Sequence, residues 1–235
     1  MQLFYSTHIT GDSALLEDEE ARHCTQVLRM RVGEDLTLVD GKGGRYQGVL
    51  AEIGKRECKV EIRESQQEYG KRPFRVHMAV SPTKNMSRWE WMLEKSTELG
   101  VDQVTPLLCK RSERTHVRMD RLQKIAVSAM KQSGQAYLPL IGEPMDFSDM
   151  VTRAAYPQRF IGHCLPETKS PLAQNCEPEK DVLILIGPAG DFTPEEIEQA
   201  LSLGFEAVSL GNSRLRTETA GFVALTAIHF ANRSF

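Results

Sequence analysis

A small β-barrel followed by an α/β domain on a largely parallel sheet is the fold the sequence predicts. Short alternating strands with glycine turns occupy the first ~70 residues, strand–helix alternation begins after Pro73, and glycine-bearing loops follow buried-type strands toward the end. At 235 residues the chain is long enough to bury a core in each part.

In order, residues 18–30 read as a short helix and 35–40 as a strand that enters a turn at 40–44. Residues 46–53 and 58–62 are further strands, and the polar stretch 64–71, closed by Pro73, is a linker. The periodicity then changes. Residues 75–80 form a strand and 87–99 a helix, with Ser87 and Glu90 as a capping box, Trp89, Met92, Leu93 and Leu99 along one side, and Gly100 as the stop. Residues 101–108 are a strand; 120–132 form a helix with Leu122, Ile125, Ala126, Ala129 and Met130 at helical spacing. The runs 159–164 and 182–186 are buried-type strands. Thr193 caps a helix whose first residue is Pro194 and beyond whose end lies Gly204. A strand at 207–210 and a helix at 217–230 complete the chain.

Composition excludes several classes. With 40% hydrophobic and 26% charged residues the chain is neither disordered nor fibrous. The longest aliphatic run, 182–186, falls far short of the ~20 residues that span a bilayer, so no membrane association is expected. The first residues lack the pattern of a secretory signal. The five cysteines, Cys24, Cys58, Cys109, Cys164 and Cys176, are scattered without a C-x-x-C spacing. That argues against disulfides and metal sites and for a reducing, cytoplasmic setting. The net charge is −3, yet residues 110–132 hold seven basic residues against two acids, and Arg22, Arg29 and Arg31 cluster without an acid. Such clusters can contact phosphate despite a negative total.

Two segments carry chemistry. Residues 183–192 run from a strand through Gly-Pro-Ala-Gly-Asp into a capped helix. Glycines there allow close backbone approach, and loops at carboxyl strand ends are where open α/β sheets bind ligands. The loop matches neither G-x-G-x-x-G nor G-x-x-x-x-G-K-[ST], which disfavours those nucleotide-phosphate sites. Residues 209–220, Ser-Leu-Gly-Asn-Ser-Arg-Leu-Arg-Thr-Glu-Thr-Ala, also follow a strand but add Arg214, Arg216 and Glu218. One loop nearly uncharged and one rich in arginine suit an apolar cradle beside an anionic substrate. A tight turn and a solvated polar loop are the plainer alternatives.

These two segments, with Thr193-Pro-Glu-Glu, resemble the C-terminal signature of the ribosomal RNA small-subunit uridine-N3 methyltransferases, the RsmE family of the SPOUT superfamily. The resemblance extends to Arg22-His23, Val27-Leu28-Arg29, Lys84, Glu94-Lys95, Glu98-Leu99-Gly100 and Lys131-Gln132-Ser133, and so spans nearly the whole chain. It implies a PUA-like RNA-binding β-barrel at 1–70 and a SPOUT-type trefoil-knotted α/β domain at 74–235. It also implies a homodimer, S-adenosylmethionine as methyl donor, and 16S ribosomal RNA of the small subunit as substrate. By resemblance, the cofactor falls on Leu165, Pro166 and Glu167; on Ile186, Gly187, Pro188, Ala189 and Gly190; and on Leu210, Gly211, Asn212, Ser213, Leu215, Thr219 and Ala220. The chain departs from the family's Gly-Pro-Glu-Gly-Gly at Ala189 and Asp191, and an arginine is shifted by one position at Ser213-Arg214.

On this resemblance Arg216 and Arg214 stabilise charge developing on the uracil oxygens, and Glu218 acts as base or holds an arginine in place, the second role fitting an exposed carboxylate better. Arg22, Arg29, Arg31, Lys84, Lys110, Arg111, Arg114 and Arg118 are the expected RNA contacts. Cys164 is expected to be a buried small residue and His23 a structural one. Two other classes stay open: a non-catalytic ribosomal RNA-binding or assembly factor that keeps the fold, and a nucleotide-using oxidoreductase, for which only the strand–loop–helix pattern speaks.

Overall fold

The computed structural model describes residues 3–166 and 168–233 and divides into two compact units. In the first, Met1–Lys71 with Val127–Leu138, strands β1 (Leu3–Tyr5), β2 (His8–Thr10), β3 (Ser13–Glu17), β4 (Asp35–Val39), β5 (Arg45–Ile53) and β6 (Glu57–Gln66) form one sheet in the order β1-β4-β5-β6-β3-β2. Only β1–β4 is parallel. The hydrogen-bond ladder leaves β1 and β2 as edges. Buried Ser6, between them, donates its N–H to Val39 O (3.0 Å) and its hydroxyl to Leu15 O (2.7 Å), so one residue ties the two sides of the curled sheet. Alternation sends Leu36, Leu38, Leu50, Cys58, Val60 and Ile62 inward.

The expected helix at 18–30 is shorter and irregular. Helix α1 (Asp18–Arg22) passes into a π-helical turn at His23–Val27, and half-buried His23 packs edge-on to Phe4. The stretch 127–138 also belongs to this unit, although the sequence boundary left it in the 74–235 domain. Gly43 N donates to Ala136 O (3.0 Å), Leu138 N to Gly41 O (2.9 Å), and Met130 and Ala136 pack on Val39. Helical periodicity reports that one face is apolar, not which sheet it covers.

The second unit is Arg72–Ala126 with Pro139–Phe235. Its elements are β7 (Val76–Val80), α2 (Met86–Glu98), β8 (Gln103–Leu108), α3 (Met119–Ser133, whose second half lies in the first unit), β9 (Leu140–Ile141), β10 (Met145–Asp146), α4 (Phe147–Arg153), β11 (Gln158–Gly162), β12 (Ser170–Pro171), α5 (Leu172–Asn175), β13 (Val182–Ile186), α6 (Pro194–Ser202), β14 (Glu206–Ser209) and α7 (Thr217–Ala231). All strand pairs are parallel, in the order β10-β8-β7-β13-β11-β14-β12, with β9 also on β8. Buried strands explain why 182–186 is uniformly apolar: Val182, Ile184 and Ile186 join one core with Trp89, Leu93 and Leu225, while Leu183 and Leu185 join another with Phe192 and Ile197.

Helix ends follow local chemistry. At α6, Thr193 Oγ1 accepts from Glu196 N and Glu196 Oε2 accepts from Thr193 N (2.8 Å), a full capping box with Pro194 inside it. At α2 the expected Ser87–Glu90 box does not form. Asn85 is the cap, its Oδ1 accepting from Ser87 N, because the helix begins at Met86, one residue earlier than the apolar spacing indicated. Gly100 and Gly204 take φ of +83° and +80° beyond α2 and α6. Among the described residues no helix is long and apolar enough to cross a membrane.

Candidate functional site

Parallel pairing puts the carboxyl ends of β7, β11, β13 and β14 on one edge of the second unit's sheet, so the loops leaving them cluster. The loops after β13 and β14 meet directly: buried Thr217 donates its hydroxyl to Gly187 O at 3.1 Å. The loop after β11 is tied in by Asp191, whose Oδ2 accepts from Cys164 N (2.8 Å) and whose Oδ1 accepts from Phe192 N (2.9 Å). Asp191 has a φ of +63°. Glycine takes that conformation most readily, and aspartate tolerates it when its side chain bonds locally. The departure from the family's glycine at this position is thus offset by two hydrogen bonds that glycine could not make.

Two adjoining hollows open at this edge. The larger, about 590 Å³, is walled by the 82–85 loop, Arg88, Glu113, Ile186, Gly187, Pro188, Ala189, Asp191, Arg214, Arg216, Thr217 and Glu218. The smaller, about 390 Å³, is walled by Leu165, Lys169, Val208, Leu210, Gly211, Asn212 and Ser213. Gly162, Cys164, Arg214, Leu215 and Ala220 border both. A Cβ on Gly162 would stand 3.4 Å from Leu210 and 3.6 Å from Ile186, on the shared floor. Apolar walls, backbone approachable at glycines and a volume in the range that takes small ligands fit a nucleoside-bearing cofactor.

The sequence-predicted residues sort as follows. Leu165, Ile186, Gly187, Pro188, Ala189, Leu210, Gly211, Asn212, Ser213, Leu215 and Ala220 border the hollows, as do Arg214, Arg216 and Glu218. Pro166, Gly190 and Thr219 border neither, and Glu167 lies outside the described residues. Two expectations are corrected. Glu218 is buried in the first turn of α7 and pairs with Arg88 (3.8 Å), because the helix packs its first turn inward. Cys164 is exposed, since β11 ends at Gly162 and leaves it in the loop.

Of the expected RNA contacts, Arg22 (hydrogen-bonded to Gln26), Arg29 and Arg31 are exposed in the first unit. In the second, Lys84 pairs with Glu113 (3.1 Å) and Arg118 with Asp120 (2.9 Å). Arg111 donates to Gly190 O (2.8 Å) and Phe192 O (3.2 Å), which makes it a brace for the 190–192 turn. Lys110 and Arg114 are exposed without side-chain partners among the described residues. Sequence reasoning missed Asn85, Arg88, Glu113 and Thr217. Their signal was position alone: Asn85 and Arg88 follow β7, Glu113 follows β8 and Thr217 follows β14, all at the strand edge that carries the two glycine-bearing loops.

The model of the RNA methyltransferase domain matches residues 70–229, and that of the RNA methyltransferase PUA domain matches residues 16–63. A protein of Synechocystis named ribosomal RNA small subunit methyltransferase E is 30% identical over 221 residues, covering 91% of this chain and 72% of that protein. The crystal structure of a probable rRNA-methyltransferase from Porphyromonas gingivalis is 39% identical, with 99% of each chain covered and a TM-score of 0.92. That of ribosomal RNA small subunit methyltransferase E from Neisseria gonorrhoeae, bound to S-adenosylmethionine, is 29% identical, covers 99% of this chain and 98% of its own, and has a TM-score of 0.89. The chain belongs to the RNA methyltransferase family that includes the ribosomal RNA small subunit methyltransferase E proteins.

Proposed function

We propose that this protein methylates N3 of a uridine in 16S ribosomal RNA of the small subunit, with S-adenosylmethionine as donor. The observation that carries the reading is the junction of an apolar hollow with a cationic one at the edge where the loops after β11, β13 and β14 converge. The names of the relatives and the cofactor bound to the Neisseria protein support it.

Leu165, Ile186, Leu210, Leu215 and Ala220 would flank the cofactor's apolar faces, and the backbone of 187–189 and 211–213 would meet its polar groups. S-adenosylmethionine bound there would supply an electrophilic methyl group, its carbon–sulfur electron pair staying on sulfur, to a uridine N3 whose proton would pass to water. Arg214 and Arg216 border the larger hollow without an ion-pair partner among the described residues. Their guanidinium groups are therefore available to the uracil carbonyl oxygens as charge grows there. Uridine N3 lies on the pairing edge, so the protein takes the base unpaired or extruded. Arg22, Arg29, Arg31, Lys84, Lys110, Arg114 and Arg118 would meet phosphates, giving salt-dependent affinity.

Three further parts belong to the same reading. The segment from β14 to α7 forms a SPOUT trefoil knot, supported by α7 packing back on β7 and β13. The protein acts as a homodimer, supported by exposed Phe230 and by half-exposed Trp91 against Phe222. It works in the cytoplasm, where its RNA substrate would be. The test is Arg216→Ala, assayed by single-turnover transfer of labelled methyl groups to small subunits from a strain lacking the enzyme, with the product nucleoside identified. The rate should fall on the order of a hundredfold while calorimetric cofactor affinity stays within about twofold. Full single-turnover methylation by the variant would end the arginine role, and a product other than N3-methyluridine the choice of atom.

A further inference from the structure

The larger hollow holds an arginine that the sequence did not single out. Arg88 sits in the first turn of α2, and its Nε lies 3.8 Å from Glu218 Oε1. The two partners differ in exposure: the Glu218 side chain is 10% accessible and that of Arg88 49%. The Glu218 side chain is thus largely withdrawn from water, whereas that of Arg88 keeps about half its surface open. A buried carboxylate is retained where something compensates it. Here the amino-terminal turn of α7 and Arg88 do so together.

The same helix shows what a saturated pair looks like. Arg121 grips Glu90 with two parallel bonds, Nε to Oε1 at 2.5 Å and Nη2 to Oε2 at 2.8 Å. Arg88 makes no such bond. At 3.8 Å it is steered by the carboxylate, and its guanidinium has no hydrogen-bond acceptor among the described residues. Its anchor, Glu218, adjoins Thr217, the residue that links the two ligand loops through Gly187. Lys84 is tethered instead to exposed Glu113, on a segment apart from those loops in the chain.

We infer that Arg88 is a substrate-contacting arginine that donates to a carbonyl oxygen of the target uracil, and that Glu218 is the positioning residue that aims it. The inference rests on the proposed methyl transfer to uridine. As the N3 proton leaves for water, the charge left on the ring spreads to its oxygens, and a guanidinium already held in place need not be reoriented at that moment.

The test uses the full chain with Arg88→Ala, Arg88→Lys, Glu218→Gln and the Arg88→Ala/Glu218→Gln double variant. Thermal melts, calorimetric titration with S-adenosylmethionine, affinity for small subunits and single-turnover rates at saturating subunits are measured across pH. Arg88→Ala should slow the saturated rate on the order of a hundredfold and Glu218→Gln about tenfold, with cofactor and subunit affinities within about twofold. The double variant should be no slower than Arg88→Ala alone, because Glu218 acts through Arg88. Arg88→Lys should recover part of the rate, and in Arg88→Ala the rising limb of the pH profile should move to higher pH. Multiplying losses in the double variant would overturn the coupling. A loss in subunit affinity alone would make Arg88 a phosphate contact, and an unchanged Arg88→Ala rate would remove it from the reaction; both overturn the inference. Should Glu218→Gln not fold, the Arg88→Ala and Arg88→Lys rates at saturation still decide the contact. A wild-type protein that takes no cofactor in the titration would defeat the methyltransferase reading itself, a result distinct from any of these.

Discussion

Replacing Thr217 by Val exchanges a hydroxyl for a methyl group at nearly constant volume, at the point where the loops after β13 and β14 are joined. The wild-type hydroxyl donates to the carbonyl of buried Gly187 at 3.1 Å. Val leaves that buried carbonyl without its donor, at a cost of ~1–3 kcal/mol. The methyl group gains some apolar burial, so a net loss of about 1–2 kcal/mol is expected. For a chain of this size each kcal/mol moves the melting temperature by ~2–4 °C, which makes the shift readable by calorimetry. The second half of the expectation concerns the ligand. A loop released from its partner must be reordered on binding, and a further loss of about 1.4 kcal/mol would weaken cofactor affinity tenfold. The difference in melting temperature between variant and wild type should therefore widen when S-adenosylmethionine is added at a concentration saturating for the wild type. A variant that melts with the wild type, with no widening on adding cofactor, would refute the view that this bond sets the loop geometry.

Two other expectations concern stability. Glu196 is buried, and its carboxylate accepts from Thr193 N and Lys110 N, both at 2.8 Å, so Glu196→Ala strands one buried and one part-buried donor and should cost ~1–3 kcal/mol in urea unfolding; a change below about 0.5 kcal/mol would count against the capping box as a stabilising device. His77, between Tyr156 (3.0 Å) and Thr105 (2.9 Å), has its pKa pushed down to about 4 by burial, from 6.5 unfolded. Between those values the unfolded chain binds the extra proton, so this contribution is intact above pH 6.5 and is lost as pH falls toward 4, by about 2 kcal/mol at pH 5. His229, buried beside Arg72 and also lowered to about 4, acts in the same direction. Unfolding curves from pH 7.5 to 5 test this, and stability that does not decline over that range would contradict the burial of both rings.

How far the fold could be read in advance depended on whether local pattern and tertiary partner agreed. Residues 182–186 form a strand with the expected bounds because β13 lies between β7 and β11 with helices on both faces, so every position is apolar. Thr193-Pro-Glu-Glu was legible because the cap is closed by its own residues. Strands β1, β2, β9, β10 and β12 have two or three residues each, too few for alternation to register; β2 is held by the adjacent β3 and the other four by strands distant in sequence. The helix at 18–30 failed for a related reason: Asp18 takes a φ of +39° where β3 ends, and the chain then passes into a π-helical turn that buries Cys24. No periodicity rule encodes that.

The site divides the same way, and the division has a physical cause. Glycine-bearing loops announce themselves because a required backbone conformation restricts residue type, so 187–190 and 210–216 stand out in a single sequence. Arg88 and Thr217 do not, because an arginine in a first helical turn and a threonine before a glutamate are ordinary until a parallel sheet brings β7, β13 and β14 to one edge. Glu218 shows the consequence most clearly. Read along the chain, it is an acid two residues after Arg216, expected to be exposed and to hold an arginine in place. In the fold, α7 turns it toward α2 and it meets Arg88, leaving the two sequence-neighbour arginines beside the hollow without an ion-pair partner among the described residues. The acid's partner thus comes not from the arginines nearest in sequence but from an element 130 positions away (218 − 88), a separation that only topology can close.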